Sequence, residues 1–342
     1  MKKLDTQPAD SAQQIPVSVI ICARNEAENL RQNLPFIFSQ NYPDFEVVVV
    51  NDCSSDDSSY VLDHFKAEHN SLKIVTVSEH RRFKTGKKFA LTMGIKAAKN
   101  EHLLLTDADC LPASENWIQL MQQGFSAEKE IVLGYSPYKK TSGFLNTFVR
   151  FETVKTAYSY LAAALKNEPY MGVGRNLAYT KSLFFGAKGF AAHMHVLSGD
   201  DDLFINQNAN AVNTTVQVNA EAHTFSETKT SLRAYYRQKK RHMGVGKYYK
   251  RRNRILLTFD ALSGFLFYIS LIVLLCLKVE PIIVVGVYIF RLILQSFFYP
   301  AIFKKLDAGD LIWKFPLLDL IYYLYRNVFG MIGLATKNLK WK

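Results

Sequence analysis

In the segment His102-Leu-Leu-Leu-Thr-Asp107-Ala-Asp109-Cys110 a short apolar run stops abruptly at two carboxylates spaced two residues apart. Leu103 to Leu105 show no polar alternation, so both faces of the strand must be covered, as in a parallel sheet sandwiched by helices. Acids just past such a strand lie at the carboxyl edge of the sheet, where open α/β folds bind ligands. Two neighbouring carboxylates repel each other unless a cation or ligand compensates. The pair therefore points to a hard divalent metal, Mg2+ or Mn2+, bridging to a diphosphate. Asp-x-Asp is also common in turns and helix caps, and this segment alone leaves both readings open.

The same pattern recurs along the chain. Pro16-Val-Ser-Val-Ile-Ile-Cys-Ala-Arg-Asn-Glu26 reads as a strand entering a polar loop, followed by a helix over Ala27 to Phe38. Asp44-Phe-Glu-Val-Val-Val-Val-Asn-Asp52-Cys-Ser-Ser-Asp-Asp57 runs valines into an acid-rich turn, and Lys73-Ile-Val-Thr-Val is a third strand. Lys84-Thr-Gly86-Lys87-Lys-Phe-Ala-Leu91 opens a helix whose amide-rich N-terminus and lysines suit an anion. Strands alternating with helices predict a parallel or mostly parallel sheet. Asp52 and Asp107 then share one crevice beyond the strand ends.

Charge narrows the partners. The net charge of +12 over 342 residues is concentrated between Glu227 and Asp260, where eleven Lys or Arg stand with no acid. That block runs directly into Ile255-Leu-Leu-Thr-Phe, the pattern of a cytoplasmic membrane face with anionic lipid, and argues against nucleic acid as a partner. Cys22, Cys53, Cys110 and Cys276 show no metal-ligand spacing and fit a reducing setting. Residues 1–14 are polar and read as a disordered tail without a signal sequence.

Taken in order, Ala23-Arg24-Asn-Glu26, Asn51-Asp52, Gly86-Lys-Lys-Phe-Ala-Leu91, Asp107-Ala-Asp109, Gly172-Val-Gly-Arg-Asn-Leu-Ala-Tyr179, Gly199-Asp-Asp-Asp202 and Gln238-Lys-Lys-Arg241 closely resemble the family 2 glycosyltransferases. The resemblance covers about residues 15 to 245. It implies an α/β GT-A fold followed by C-terminal transmembrane helices, a nucleotide-diphosphate sugar donor, a divalent metal, Mg2+ or Mn2+, and inversion at the anomeric carbon.

The resemblance also distributes roles. Arg24, Glu26, Asp52, Lys87, Asp107, Gln238 and Arg241 fall on the donor side; Asp52 accepts a hydrogen bond from the base ring, or else caps the helix beginning near Asp56. Lys87 is the basic group near the nucleotide, with Lys88 solvated. Asp109 is the direct metal ligand and Asp107 contacts ribose and metal. Arg175, Asn176, Tyr179 and His242 lie on the acceptor side; Gly172 and Gly174 allow backbone to approach a ligand, although an ordinary tight turn is the alternative. One of Asp200, Asp201 and Asp202 is the catalytic base, because adjacent carboxylates suppress one another's ionisation. The same three also suit the N-cap of a helix over Leu203 to Ala209. Arg241 can hold diphosphate oxygens bidentately. His242 stands where processive members carry Trp. His193, His195 and His223 read as structural.

The expected organisation is a catalytic domain over 15–228, a basic interfacial segment over 229–254 and a membrane region over 255–336. Ile255–Leu277 and Ile282–Phe303 are each long enough to cross about 30 Å of hydrocarbon. Arg291, midway through the second, needs a partner such as Asp260, a backbone carbonyl or a lipid-linked substrate. Phe315–Ala335 is a third span or an interfacial helix. The whole reads as an integral protein of the bacterial inner membrane with a cytoplasmic catalytic domain. Its partners are then a nucleotide-sugar donor, membrane lipids and a lipid-linked or glycan acceptor. So few spans favour single sugar addition over a processive synthase, and the full set of carboxylates disfavours a non-catalytic binding subunit.

Overall fold

The computed structural model describes residues 14–78, 86–196 and 198–335, and the chain divides into two compact units. One takes in the chain up to residue 139 together with 159–227, the other 140–158 and 228 onward. The tail expected over 1–14, except its last residue, lies outside the described residues, as do Lys84 and the end of the region predicted to reach 336.

The elements run β1 (Val17–Ala23), α1 (Ala27–Phe38), β2 (Phe45–Asp52), α2 (Ser58–Glu68), β3 (Leu72–Val77), α3 (Lys87–Ala97), β4 (His102–Asp107), β5 (Leu111–Pro112), α4 (Trp117–Gln122) and β6 (Ile131–Leu133). There follow α5 (Phe144–Leu165), β7 (Leu177–Thr180), α6 (Lys181–Gly186), α7 (Asp202–Asn208), β8 (Thr214–Val216), β9 (Thr224–Phe225), α8 (Leu232–Met243), α9 (Arg251–Cys276), α10 (Pro281–Lys305) and α11 (Phe315–Ala335).

In the first unit seven strands form one sheet in the order β3-β2-β1-β4-β7-β6-β8. The first four in that order are parallel; β7 runs antiparallel to β4 and β6, and β8 pairs parallel with β6. The sheet is thus mostly parallel, as the apolar runs predicted. Val47 to Val50 are wholly buried because both faces are covered. Val19, Val47, Val49 and Leu104 pack with Leu30 and Leu34 of α1, Leu62 of α2 and Trp117 of α4. Val50 and Val77 pack on Ala90 of α3 on the other face. A Cβ at Gly94 would stand 2.8 Å from Val50, so α3 lies close against the sheet. The register sets Cys22 level with Asp107 and Ala23 level with Asn51, which brings Arg24, Asp52 and Asp107 to one carboxyl edge.

In the second unit the first half of α5 is tied by charge. Arg150 forks onto Asp310 at 2.7 and 2.8 Å, Glu152 pairs with Lys239, and Lys155 lies 3.0 Å from Asp319. Two described helices, α9 and α10, are long and apolar enough to cross a membrane, and match the predicted spans. Arg291 pairs with Asp319 of α11 at 2.8 Å, while Asp260 pairs with Arg326. Of the partners left open for Arg291, an acid is the one present, but it is Asp319 and not Asp260. A buried acid on α11, supported also by Tyr268 at 2.8 Å, offers Arg291 a better desolvated partner than the half-exposed Asp260.

Candidate active site

Two loops at the carboxyl edge are laced together by hydrogen bonds. Asn25 and Cys53, just beyond β1 and β2, adopt left-handed backbone at φ 56° and 54°. For residues other than glycine this is strained geometry of the kind concentrated at functional loops. Asn25 N–H donates to Ser54 Oγ at 3.0 Å, Ser55 N–H donates to Asn25 Oδ1 at 2.8 Å, and Glu26 N–H donates to Ser58 Oγ at 3.1 Å. Asp52 is buried at the end of β2 with Arg24 4.0 Å away. Burial raises the Asp52 pKa against the pull of Arg24. Asp52 does not cap α2: Asp56 accepts from Ser58 N–H, and Asp57 occupies the cap position.

The centre of the site is Lys87, first residue of α3. Its Nζ lies 2.8 Å from Asp107 Oδ1 at the end of β4 and 3.0 Å from Asp200 Oδ2 ahead of α7. Burial lowers the Lys87 pKa, but Asp107, Asp200 and Asp201 outweigh it and raise the pKa well above the ordinary lysine value. Burial likewise opposes ionisation of Asp200, yet Lys87 holds that carboxyl below its usual range. Asp201 goes the other way: burial and the neighbouring Asp200 charge push it up. Two adjacent acids with pKa values driven apart form the usual physical basis for separate acid–base roles.

The glycine turn fixes Asp201. Gly174 N–H donates to Asp201 Oδ2 at 2.8 Å, and Asp202 N–H donates to Oδ1 at 2.7 Å. A Cβ at Gly174 would stand 3.3 Å from that side chain, so the close approach at this glycine is to a carboxylate of the protein itself, where a ligand was expected. Asp201 is also the N-cap of α7, as the capping reading of this cluster expected. Asp202 opens α7, its Oδ1 accepting from Leu203 N–H at 2.7 Å.

Several residues sit differently from their sequence reading. Lys88 is buried, donating to the carbonyls of His193 and Val196 at 2.7 and 2.8 Å, not solvated. Asn176 is fully buried: Trp117 Nε1–H donates to its Oδ1 at 3.0 Å, and its Nδ2 donates to Tyr135 O and Ala222 O, both at 2.8 Å. Tyr179 is in the core with its ring 4.9 Å from Phe204. Tyr179 lies on β7, an interior strand flanked by β4 and β6, and Asn176 just before it, so both side chains are packed inside the scaffold. Arg175 is held by Ser136 O at 3.0 Å and stacks on the Tyr138 ring at 4.3 Å, with Asp109 and Asp107 among the charges that act on it. Gln238 lies on α8 in the second unit, and the side chains of Arg241 and His242 fall outside the described residues.

Among the described residues no three acid, His or Cys side chains converge into a metal cage. The donor set still suits Mg2+ or Mn2+ of the kind bound by one or two carboxylates with substrate phosphates completing the shell. Asp107 and Asp109 are partly exposed hard oxygen donors, and Asp107, Asp109, Asp200, Asp201 and Asp202 outnumber Lys87, Lys88 and Arg175.

A doubly covered sheet with acids at its carboxyl edge and an antiparallel strand inserted beside β4 is the frame of a GT-A transferase. The sequence profile described as Glycosyl transferase family 2 matches residues 18–191, and the chain belongs to that family: it is a glycosyltransferase. It is 30% identical over 129 residues to glycosyltransferase GlyG of Streptococcus pneumoniae, covering 37% of this chain and 41% of that protein. It is 34% identical over 93 residues to the poly-β-1,6-N-acetyl-D-glucosamine synthase of Staphylococcus epidermidis, 27% of this chain and 21% of that one. The chain thus spans less than half the length of these relatives. The fold resembles a mannosyltransferase of Pyrobaculum calidifontis solved in complex with GDP-Man and Mn2+, with TM-score 0.57, 17% identity and coverage of 96% and 92% of the two chains.

Proposed function

We propose that the chain is an inverting glycosyltransferase. It moves a sugar from a nucleotide-diphosphate donor, a UDP-sugar ahead of a GDP-sugar, to a lipid-linked or glycan acceptor at the cytoplasmic face of the bacterial inner membrane. The observation that carries this reading is Lys87 joining Asp107 to Asp200 beside an Asp201 that is tied to the glycine turn. Residues 15–228 supply the catalytic domain, though 140–158 group with the second unit; 229–254 lie on the lipid headgroups and 255–336 anchor the chain.

In this reading Asp52 receives the nucleobase, with Arg24 and Glu26 framing the pocket. Asp107 and Asp109 hold Mg2+ or Mn2+, which when bound neutralises the leaving diphosphate. Gln238 and Arg241 donate to the donor phosphates. Lys87 keeps Asp200 ionised, and that charge keeps Asp201 a usable base. Asp201 takes the proton from the acceptor hydroxyl as its oxygen bonds to the anomeric carbon and the bond from that carbon to the diphosphate oxygen breaks. His242 and Arg175 line the acceptor side.

Purified full-length protein with Mn2+, UDP- and GDP-sugars and a lipid extract tests this: nucleoside diphosphate is released with a UDP-sugar, and Asp109→Ala reduces that release at least about a hundredfold. Undiminished release by Asp109→Ala removes the metal assignment. The partial identity to a poly-N-acetylglucosamine synthase supports a second reading, processive polymerisation, and sizing the product separates the two.

A further inference from the structure

Helix α8 carries five Lys or Arg in its twelve residues and no acid. Leu232, Tyr235 and Tyr236 stand on one side of this helix and Arg233, Arg237 and Arg241 on another, so an apolar stripe already favours one general orientation. Its aromatic neighbours on α11 are weakly directional: Tyr235 and Tyr325 rings are 6.0 Å apart, and Tyr236 meets Phe329 at 5.4 Å. A hydrogen-bonded, directional contact that narrows this orientation comes from α5. Glu152, only 6% exposed, accepts a hydrogen bond from Tyr235 OH at 2.8 Å and holds Lys239 Nζ at 2.7 Å. Tyr235 and Lys239 are spaced i, i+4 and form one stripe of the helix. At about 100° per residue, positions 238 and 241 fall together on a stripe roughly 110° further round.

We propose that Glu152 is a positioning residue for the donor-binding helix. By pinning Tyr235 and Lys239 it sets the rotation of α8, and so the face on which positions 238 and 241 stand; this rests on the donor role proposed above for Gln238 and Arg241. The carboxylate is suited to this because it is buried and paired: removing either charge strands the other in a desolvated site, so the register of α8 is strongly preferred over its rolled alternatives.

The test uses the full-length chain in one detergent, with Glu152→Gln, Lys239→Met, the exchanged pair Glu152→Lys with Lys239→Glu, and Arg241→Ala as reference. Donor KM, kcat and thermal midpoint are measured for each, together with UDP and GDP binding without acceptor. Glu152→Gln and Lys239→Met each raise donor KM and weaken nucleotide binding about tenfold with kcat within about threefold, as a small displacement of a binding group requires. The exchanged pair recovers most of that loss. Singles that lower the thermal midpoint while leaving donor KM unchanged, or an exchange that restores stability without restoring donor KM, reduce Glu152 to a structural role and overturn the inference. Arg241→Ala distinguishes the other failure: an unchanged donor KM there removes the donor role of α8, and the inference with it.

Discussion

Asn176 and Tyr179 show how a motif residue can be indispensable without touching a substrate. Asn176 satisfies the Trp117 indole and two carbonyls from different segments, and a Cβ on Gly134 would stand 2.5 Å from its side chain. Asn176→Ala leaves one buried donor and two buried acceptors unpaired. It should lower stability by about 2–4 kcal/mol in denaturant unfolding while the folded fraction keeps its kcat/KM within a few fold. A large kinetic loss with unchanged stability restores the acceptor-contact reading. Lys88 has a signal that the adjacent Lys87 conceals: it stands i, i+3 and i+7 with Leu91 and Ile95, the buried stripe of α3. His193, whose carbonyl accepts from that lysine, is buried, and desolvation together with the Lys88 charge depresses its pKa to about 4 from an ordinary 6.5. As pH falls the unfolded chain takes up this proton first. Stability from a neutral His193 is therefore complete above about 6.5 and lost as pH drops toward 4. The thermal midpoint of the wild type should fall more steeply over that window than that of His193→Asn; parallel curves contradict the assignment.

At the scale of elements, the strands legible in the sequence are the ones that cannot be anything else. β1, β2 and β4 are apolar runs, the last two ending in acids, and α1 falls on the predicted residues. β6, β7 and β8 are three or four residues long, and the antiparallel insertion of β7 depends on pairings distant in sequence that no local period encodes. The edge positions of Asp52 and Asp107 were readable because a strand end dictates them. Lys87 as a bridge between Asp107 and Asp200 was not, since it joins segments about a hundred residues apart. In the helical unit Asp319 is wholly buried and faces Lys155, Arg291 and Tyr268. Asp319→Leu strands two cations and should cost about 3–5 kcal/mol, read as a lowered thermal midpoint of detergent-extracted protein. At Gly264 α9 passes directly against Tyr323 of α11, whose ring fills the place a side chain would take. A side chain there forces the helices apart.

Across the whole molecule the basic excess and the carboxylates proposed for catalysis lie in different stretches of chain, as the proposal of a membrane-held enzyme with its acceptor at the lipid surface requires. Reversing Arg251, Arg252 and Arg254 to Glu removes roughly 1 kcal/mol of attraction per residue to an anionic leaflet. Turnover of a membrane-embedded acceptor in anionic liposomes should then fall while nucleotide-sugar hydrolysis persists; equal turnover leaves these residues a topology signal alone. The central claim is that Asp201 activates the acceptor for a single displacement at the anomeric carbon, and the anomeric configuration of the product tests it most directly. Proton NMR of the glycoside formed from an α-linked nucleotide sugar should show a β linkage made by the wild type and lost with Asp201→Asn. An α linkage, or a β product formed at the wild-type rate by Asp201→Asn, contradicts the account.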